Sequence, residues 1–189
     1  MFCEVECQVY VRIPTENLDR NYLVPQRTIL SCLLKSMLIW KATKEHGYFL
    51  AVTKLKSIGK GEFEESSRSI FFPVAFFFRT FLPANGEIMH GVVNVVHRRG
   101  VFLKCGPIKY VYLSVRKMPN YYYVGGENPH FIKDDLSRIE KDVVILFTVF
   151  AVRWTKKRGE IEREFMILAS LEGNGLGPVS MAGYEELDL

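Results

Sequence analysis

Residues 100–114 read GVFLKCGPIKYVYLS, two short alternating segments joined by Gly106-Pro107. Alternation of apolar and polar side chains with a period of two indicates half-buried β-strands, and a Gly-Pro pair indicates a turn. The inward-facing residues of the first segment are predicted to be Val101, Leu103 and Cys105. Phe102 and Lys104 then share the outer face, where Tyr112 of the second segment lies within cross-strand reach of Phe102.

Similar segments lie on both sides of this pair. One precedes it at residues 87–97, and two follow at residues 142–154 and 160–171. Between the third and the fourth segment lies a long stretch, residues 115–141, of the kind that is usually functional or an inserted element. Five strands with a long excursion between the third and the fourth are the layout of an OB barrel. We therefore expect an all-β, five-stranded barrel in this half of the chain.

The N-terminal half has a different pattern. Residues 3–13 alternate, which predicts a strand, and Pro25 opens a segment with apolar residues at helical spacing. Extended structure is predicted again for residues 48–56 and 69–78. This order of strand, helix, strand and strand indicates a small α+β domain.

Two local features refine the prediction for this half. Ile58-Gly59-Lys60-Gly61 is read as a turn, with phosphate binding as a weaker alternative because the context of a P-loop is absent. Pro73 within its strand predicts a sheet edge or a bulge, since proline cannot donate a hydrogen bond to a neighbouring strand.

The boundary between the two halves is predicted at Leu82-Pro83-Ala84-Asn85-Gly86, which combines turn formers with no periodicity. It divides the chain into predicted domains at residues 1–82 and 83–189.

The composition is that of a soluble globular protein and excludes the disordered, collagen-like and coiled-coil classes. The chain has 189 residues, of which 48% are hydrophobic and 24% charged, and a net charge of +4. Between residues 83 and 122 the basic residues stand against a single acid, Glu87. Such a local excess of cations favours an anionic partner. The basic residues of this segment are Arg98, Arg99, Lys104, Lys109, Arg116 and Lys117.

No motif indicates catalysis, a metal or a cofactor. The histidines are scattered, and no metalloprotease, nucleophile-elbow, P-loop or paired-carboxylate pattern occurs. The cysteines lack zinc-site spacing, so free thiols in a reducing compartment are expected. The longest apolar runs, residues 70–78 and 143–152, are about half the length of a membrane span. We expect a soluble, intracellular protein that is not an enzyme and binds no membrane.

The aromatic pair of Phe102 and Tyr112 is the best candidate site. On an exposed barrel face, two aromatic rings can stack unpaired bases while neighbouring Lys and Arg side chains bind phosphates. Alternatively, the rings cover the barrel and the basic residues form a solvated surface; residue types alone leave both readings open. The concentration of charge favours nucleic acid, and single-stranded RNA in particular. The predicted RNA-binding residues are Arg98, Arg99, Phe102, Lys104, Lys109, Tyr112, Arg116 and Lys117.

Several stretches resemble a known family. Gly86-Glu87-Ile88, residues 100–107 and Leu113-Ser114 resemble an S1 domain, and most of all those of stalk subunit seven of DNA-dependent RNA polymerases. In the first half of the chain, His46-Gly47-Tyr48 and Phe72-Pro73-Val74 are similar to the tip domain of that subunit. The resemblance covers nearly the whole chain, and it rests on the order of these landmarks rather than on any one motif.

The resemblance implies an α+β tip domain with a truncated RNP-like fold over residues 1–82, which docks on the polymerase core. It implies an S1/OB barrel over residues 83–189, which binds single-stranded nascent RNA. Its implied partners are a helical subunit four and the largest polymerase subunits, with no cofactor and no catalytic role. The residues that it places in contact with the core are Ile58, Gly59, Lys60 and Gly61.

The form most resembles those of plant polymerases IV and V, because Tyr121-Tyr122-Tyr123 and residues 143–152 diverge from polymerase II subunits. This implies a nuclear protein in small-RNA-directed DNA methylation and gene silencing. The alternative is a free-standing S1-type RNA-binding protein in translation or RNA decay, and a small-molecule enzyme on a barrel fold ranks far behind. Purification with a helical partner and large polymerase subunits would distinguish the first two classes.

Overall fold

The computed structural model describes residues 1–17, 24–37, 42–156 and 163–179. The chain forms two compact units, Met1–Leu82 and Pro83–Leu189, which are described separately below. Strands predominate in both units, and the described residues contain one α-helix. Within these residues no helix has the length and apolar character needed to cross a membrane.

The first unit packs one helix against one face of an antiparallel sheet. The sheet has the strand order β1-β5-β3-β2, and β4 pairs with β5 beyond the end of β3. Helix and sheet share a core, whose buried residues are Val11, Ile13, Ile29, Leu33, Val74, Phe76 and Phe78. The elements are β1 (Phe2–Pro14), α1 (Gln26–Met37), β2 (Ala42–Thr43), β3 (Gly47–Ile58), β4 (Glu62–Glu64) and β5 (Ser69–Phe81). The predicted order of strand, helix and strands is confirmed.

The turn predicted at residues 58–61 is wrong. β3 and β4 both pair antiparallel with β5, Ile58 opposite Val74 and Glu62 opposite Phe71, so the chain runs on in the same direction across these residues. The reversal comes later, at residues 65–68, where Arg68 has a φ of +46°. β3 and β4 together therefore form one long strand edge beside β5, with a break at residues 58–61. The glycines in the break let the backbone bulge without reversing.

The sheet edge predicted at Pro73 is also wrong, since β5 lies between β1 and the β3–β4 edge. The alternative prediction of a bulge fits the pairing, because the register with β5 shifts by one residue opposite Pro73, between the Ile58–Val74 and Glu62–Phe71 pairs. Pro73 is tolerated because its carbonyl accepts a hydrogen bond from Gly59 N–H at 2.8 Å, in the break between β3 and β4. The nitrogen of a strand residue faces the same neighbour as its carbonyl, so the missing donor of Pro73 faces this break.

The second unit contains a closed ring of five strands. β6, β7 and β8 are antiparallel neighbours, β13 runs parallel to β8, and β12 joins β13 back to β6. The ring strands are β6 (Ile88–His97), β7 (Gly100–Cys105), β8 (Ile108–Ser114), β12 (Val144–Lys156) and β13 (Arg163–Ser170), with β14 (Gly177–Pro178) beside β12. All five predicted strands are present, and residues 160–162 of the fifth lie outside the described residues. The ring interior includes Val93, Val101, Leu103, Val111, Leu113, Phe147 and Ile167.

The long stretch between the third and fourth ring strands has a structure of its own. A short 3-10 turn, Val115–Lys117, leads into a three-stranded antiparallel sheet in the order β11-β10-β9. Its strands are β9 (Tyr121–Val124), β10 (His130–Lys133) and β11 (Arg138–Ile139). Phe131 and Ile139 are fully buried beneath it. We call this element the inserted sheet; the sequence indicated its position but not its strands.

The cysteines in the described residues are free thiols, as expected. Cys105 is buried in the ring, where its Sγ lies 3.1 Å from the His90 carbonyl oxygen. Burial, with a smaller contribution from the Glu87 charge, raises the pKa of Cys105 to about 11. Cys3, Cys7 and Cys32 are half-buried, and burial also raises the pKa of Cys7.

Candidate nucleic-acid interface

The predicted aromatic pair forms on the outer surface of the ring. Phe102 on β7 lies directly opposite Tyr112 on β8, and directly opposed residues of an antiparallel pair share a face. Their ring centroids are 5.0 Å apart with the planes inclined by 40°. Phe102 is 41% exposed, which is high for a large aromatic side chain in the middle of a strand. The pair therefore offers an accessible aromatic surface.

A pocket of about 550 Å³ surrounds this pair. The His97 ring meets Phe102 edge to face, with centroids 6.1 Å apart. Two apolar side chains, Met166 and Leu168, reach it from β13, on which Leu168 is opposite Tyr112. The pocket is lined by His97, Arg98, Arg99, Phe102, Tyr112, Met166 and Leu168. We call it the aromatic pocket.

Sequence reasoning missed three of these residues. His97 adjoins Arg98 in the predicted turn and could have been found from its position beside the basic pair. Met166 and Leu168 could not, because they reach the pocket only through the parallel pairing of β8 and β13. That pairing joins segments far apart in the chain and leaves no local pattern.

Backbone contacts hold the arginine-bearing turn beside the pocket. The Tyr112 hydroxyl donates to the Arg99 carbonyl at 2.7 Å, and the Val115 N–H donates to the same oxygen at 3.0 Å. Gly100 makes this approach possible: its φ is +146°, and a Cβ there would overlap the Leu113 carbonyl oxygen. Arg98 and Arg99 consequently extend into solvent next to Phe102, where their charges can meet an anion.

The other four predicted basic residues are placed differently. Lys104 is exposed on the same outer face of β7 as Phe102, and Arg116 is exposed after Ser114, whose hydroxyl accepts from the Arg116 N–H at 3.4 Å. Lys109 pairs with the buried carboxylate of Glu164 at 2.8 Å. None of these four residues lines the aromatic pocket.

Lys117 is engaged in two contacts within the second unit. Its ammonium lies 2.6 Å from a Glu172 carboxylate oxygen and 3.9 Å from the centroid of the Phe150 ring. The hydrogen bond from Lys117 is the main reason why the pKa of Glu172 is lowered. Because Glu164 and Glu172 both lie outside residues 83–122, the local charge in space is smaller than the linear count suggested. The net excess of positive charge is therefore carried by Arg98, Arg99, Lys104 and Arg116.

In the first unit, the residues predicted to contact a polymerase core occupy the break between β3 and β4. Gly59 and Lys60 are exposed, and Ile58 and Gly61 are half-buried. A Cβ on Gly59 would lie 2.6 Å from Pro73 Cγ, and a Cβ on Gly61 would lie 2.7 Å from Ile70 Cγ2. Neither glycine has a positive φ, so glycine is required here for space rather than for its backbone angle.

Within the part of the chain that the structure describes, no three His, Cys, Asp or Glu side chains converge as a metal site would require. Asp135 has a local structural role. The Asp135 carboxylate accepts from the Ser137 N–H at 2.9 Å and lies 3.2 Å from Lys133 Nζ. Hydrogen bonds from Ser137 lower the pKa of Asp135 to about 2. Asp135 thus caps the turn between β10 and β11.

Comparison with known proteins identifies the class of protein to which this two-unit chain belongs. No protein-family model matches the chain. DNA-directed RNA polymerase V subunit 7 of Arabidopsis thaliana is 47% identical over 95% of this chain and 99% of its own length. DNA-directed RNA polymerase IV subunit 7 of the same plant is 43% identical over 94% of this chain and 99% of its own length. DNA-directed RNA polymerase II subunit RPB7 of Glycine max is 31% identical, over 57% of this chain and 62% of its own length.

These relatives are polymerase subunits that act in transcription. The chain belongs to the subunit 7 family of DNA-directed RNA polymerases, the stalk subunits. The resemblance found from the ordered motifs of the sequence is thereby confirmed.

Proposed function

We propose that this chain is the non-catalytic stalk subunit of a nuclear plant RNA polymerase of the IV or V type. It pairs with a helical subunit four, attaches to the largest subunits of the core through its first unit, and binds nascent single-stranded RNA with its second unit. Its activity then serves small-RNA-directed DNA methylation and gene silencing.

The pattern of similarity supports the polymerase type. The relatives from polymerases IV and V match nearly end to end, whereas the soybean polymerase II relative matches 57% of this chain at lower identity. A free-standing S1 protein would not need the first unit, yet the match to the polymerase V subunit spans 95% of the chain and therefore both units.

The strand connectivity supports assigning an S1/OB barrel to the second unit. The ring has five strands, and the inserted sheet lies between the third and the fourth, as the OB layout requires. The first unit, with one helix on a single sheet, suits a tip domain. In it Ile58, Gly59, Lys60 and Gly61 would contact the core, because Gly59 and Lys60 are exposed at a break in the sheet edge.

The observation that carries the RNA-binding part of the proposal is the exposed Phe102–Tyr112 pair beside Arg98 and Arg99. An unpaired base stacks on the rings, and the guanidinium groups bind the flanking phosphates. Lys104 and Arg116 extend the basic surface. Lys109 and Lys117 contribute less, since Glu164 and Glu172 already neutralise them.

Titration of the full-length chain, purified with its helical partner, against labelled single-stranded RNA at several salt concentrations tests this proposal. Each stacked base is worth about 1–3 kcal/mol by alanine substitution, so Phe102→Ala should weaken binding at an unchanged salt slope. Arg98→Ala should reduce the slope by about 0.7, the value for one phosphate contact on a single strand. Tyr122→Ala is the matched control, because Tyr122 is 62% exposed in the inserted sheet, outside the pocket. Equal affinities of Phe102→Ala and wild type would make the aromatic pair structural.

A further inference from the structure

We propose that the polar cleft between β6 and the inserted sheet is a second nucleotide subsite. It contacts base edges and 2′-hydroxyl groups of an RNA strand whose neighbouring base is stacked in the aromatic pocket. This proposal rests on the RNA binding proposed above, and it assigns the inserted sheet a role in reading the strand.

The cleft is large enough for a nucleotide. Its volume is about 710 Å³, and it is bounded by β6 on one side and by the β9–β10 loop, β11 and the residues after β11 on the other. The polar side chains that line it include Asn94, Glu127, Asn128, Arg138, Glu140 and Lys141. Within the described residues, these six side chains make no hydrogen bond or ion pair to one another or to other residues. Their donors and acceptors are therefore available to a ligand.

The cleft adjoins the aromatic pocket. Val95 lines the cleft, Phe102 lines the pocket, and the two residues are direct cross-strand partners on β6 and β7. Both are accessible, Val95 at 38% and Phe102 at 41%. Opposed side chains on one face are only about 5 Å apart. A strand that leaves the rings in the direction of β6 crosses Val95 and enters the cleft.

The chemistry of the two sites is complementary. The pocket walls are mainly apolar and aromatic, and stacking tolerates any base. The cleft carries two amides, two carboxylates and two cations. This mixture is not that of a phosphate-binding site, because Glu127 and Glu140 would repel a phosphate. Amides and carboxylates do suit base edges, and they can bind the 2′-hydroxyl, which is both donor and acceptor and distinguishes RNA from DNA.

The test uses the full-length chain with its helical partner and three probes. Two probes are an RNA and a DNA of the same sequence and about eight nucleotides, a length within the site size of roughly 4–16 nucleotides for one OB fold. The third probe is an RNA dinucleotide. The variant is Asn94→Ala combined with Asn128→Ala. Both residues are exposed, so the fold should survive. Asn174→Ala is the matched control, because Asn174 is an exposed asparagine of the second unit outside the cleft.

Wild type should bind the longer RNA more tightly than the DNA. The double variant should lose about three- to tenfold in affinity for each lost hydrogen bond on the longer RNA. The loss should be smaller on the DNA, which offers base edges but no 2′-hydroxyls, and the dinucleotide should change little. Equal losses for RNA and DNA would overturn the contacts to 2′-hydroxyls, because DNA offers base edges without them. Unchanged affinities in the double variant, with weakened binding in Phe102→Ala, would remove the subsite and leave the proposed RNA binding intact. Absence of binding by wild type would refute the RNA binding itself.

Discussion

Gly100 offers the sharpest test of how the aromatic pocket is built. Its φ of +146° lies in a region that only glycine occupies readily, and a Cβ would overlap the Leu113 carbonyl oxygen and lie 3.0 Å from Ser114 Cα. Backbone strain of this kind costs about 1–3 kcal/mol, and relief of an overlap with backbone costs about 1–3 kcal/mol more. Gly100→Ala should therefore destabilise the second unit by about 2–6 kcal/mol, a large fraction of the roughly 5–15 kcal/mol that stabilises a domain.

Gly106→Ala is the matched control for this change. Gly106 also has a positive φ, +52°, but nothing lies within 4 Å of its added Cβ. The substitution should cost only the left-handed backbone penalty of about 1–2 kcal/mol. Urea unfolding gives the two free energies, and hydrogen exchange of the β7 and β8 amides shows where stability is lost. The reasoning fails if Gly100→Ala is no less stable than Gly106→Ala.

Three further results are expected. Gly59→Val should weaken purification of the polymerase core with this chain, because the side chain must displace Pro73; full recovery of the core would exclude the β3–β4 break as a contact. Cys105 should resist alkylation in the folded chain at pH 9, where an ordinary thiol reacts, because its pKa is about 11. The folded state keeps this proton while the unfolded state loses it, so the free energy of unfolding should fall as pH rises from 9 to 11; a flat profile in that range would contradict it. Lys109→Ala should lower the free energy of unfolding by about 1–3 kcal/mol, because it leaves the Glu164 carboxylate buried without its ion pair. The control variant Lys104→Ala should change this free energy by less than about 0.5 kcal/mol. Equal effects of the two variants would show that the ion pair does not stabilise the fold.

Much of the fold follows from local pattern. The alternation around residues 3–13 and 100–114 identified strands correctly, because one face of each strand is buried and the other is not. The Phe102–Tyr112 pair could be predicted for the same reason, since two adjacent strands joined by a tight turn have one natural register.

The remaining features depend on contacts between distant segments. A glycine-rich stretch such as residues 58–61 fits a reversal and a break equally well, and only the pairing of both β3 and β4 with β5 decides between them. Pro73 is compatible with a central strand only because its nitrogen, which has no hydrogen to donate, faces the break between β3 and β4. The ion pairs of Lys109 and Lys117 with Glu164 and Glu172 likewise join residues far apart in sequence, so a linear charge count overstates the basic surface.

The parallel pairing of β8 with β13 also determines when the aromatic pocket can form during synthesis. β13 ends at Ser170, so the ring stays open while the ribosome is still making the preceding residues. Pairing of segments so far apart is slow, because a long loop must close first. Until it closes, Phe102 and Tyr112 have no Met166 or Leu168 beside them, and the nascent chain presents an unpaired strand edge, which makes it prone to aggregation.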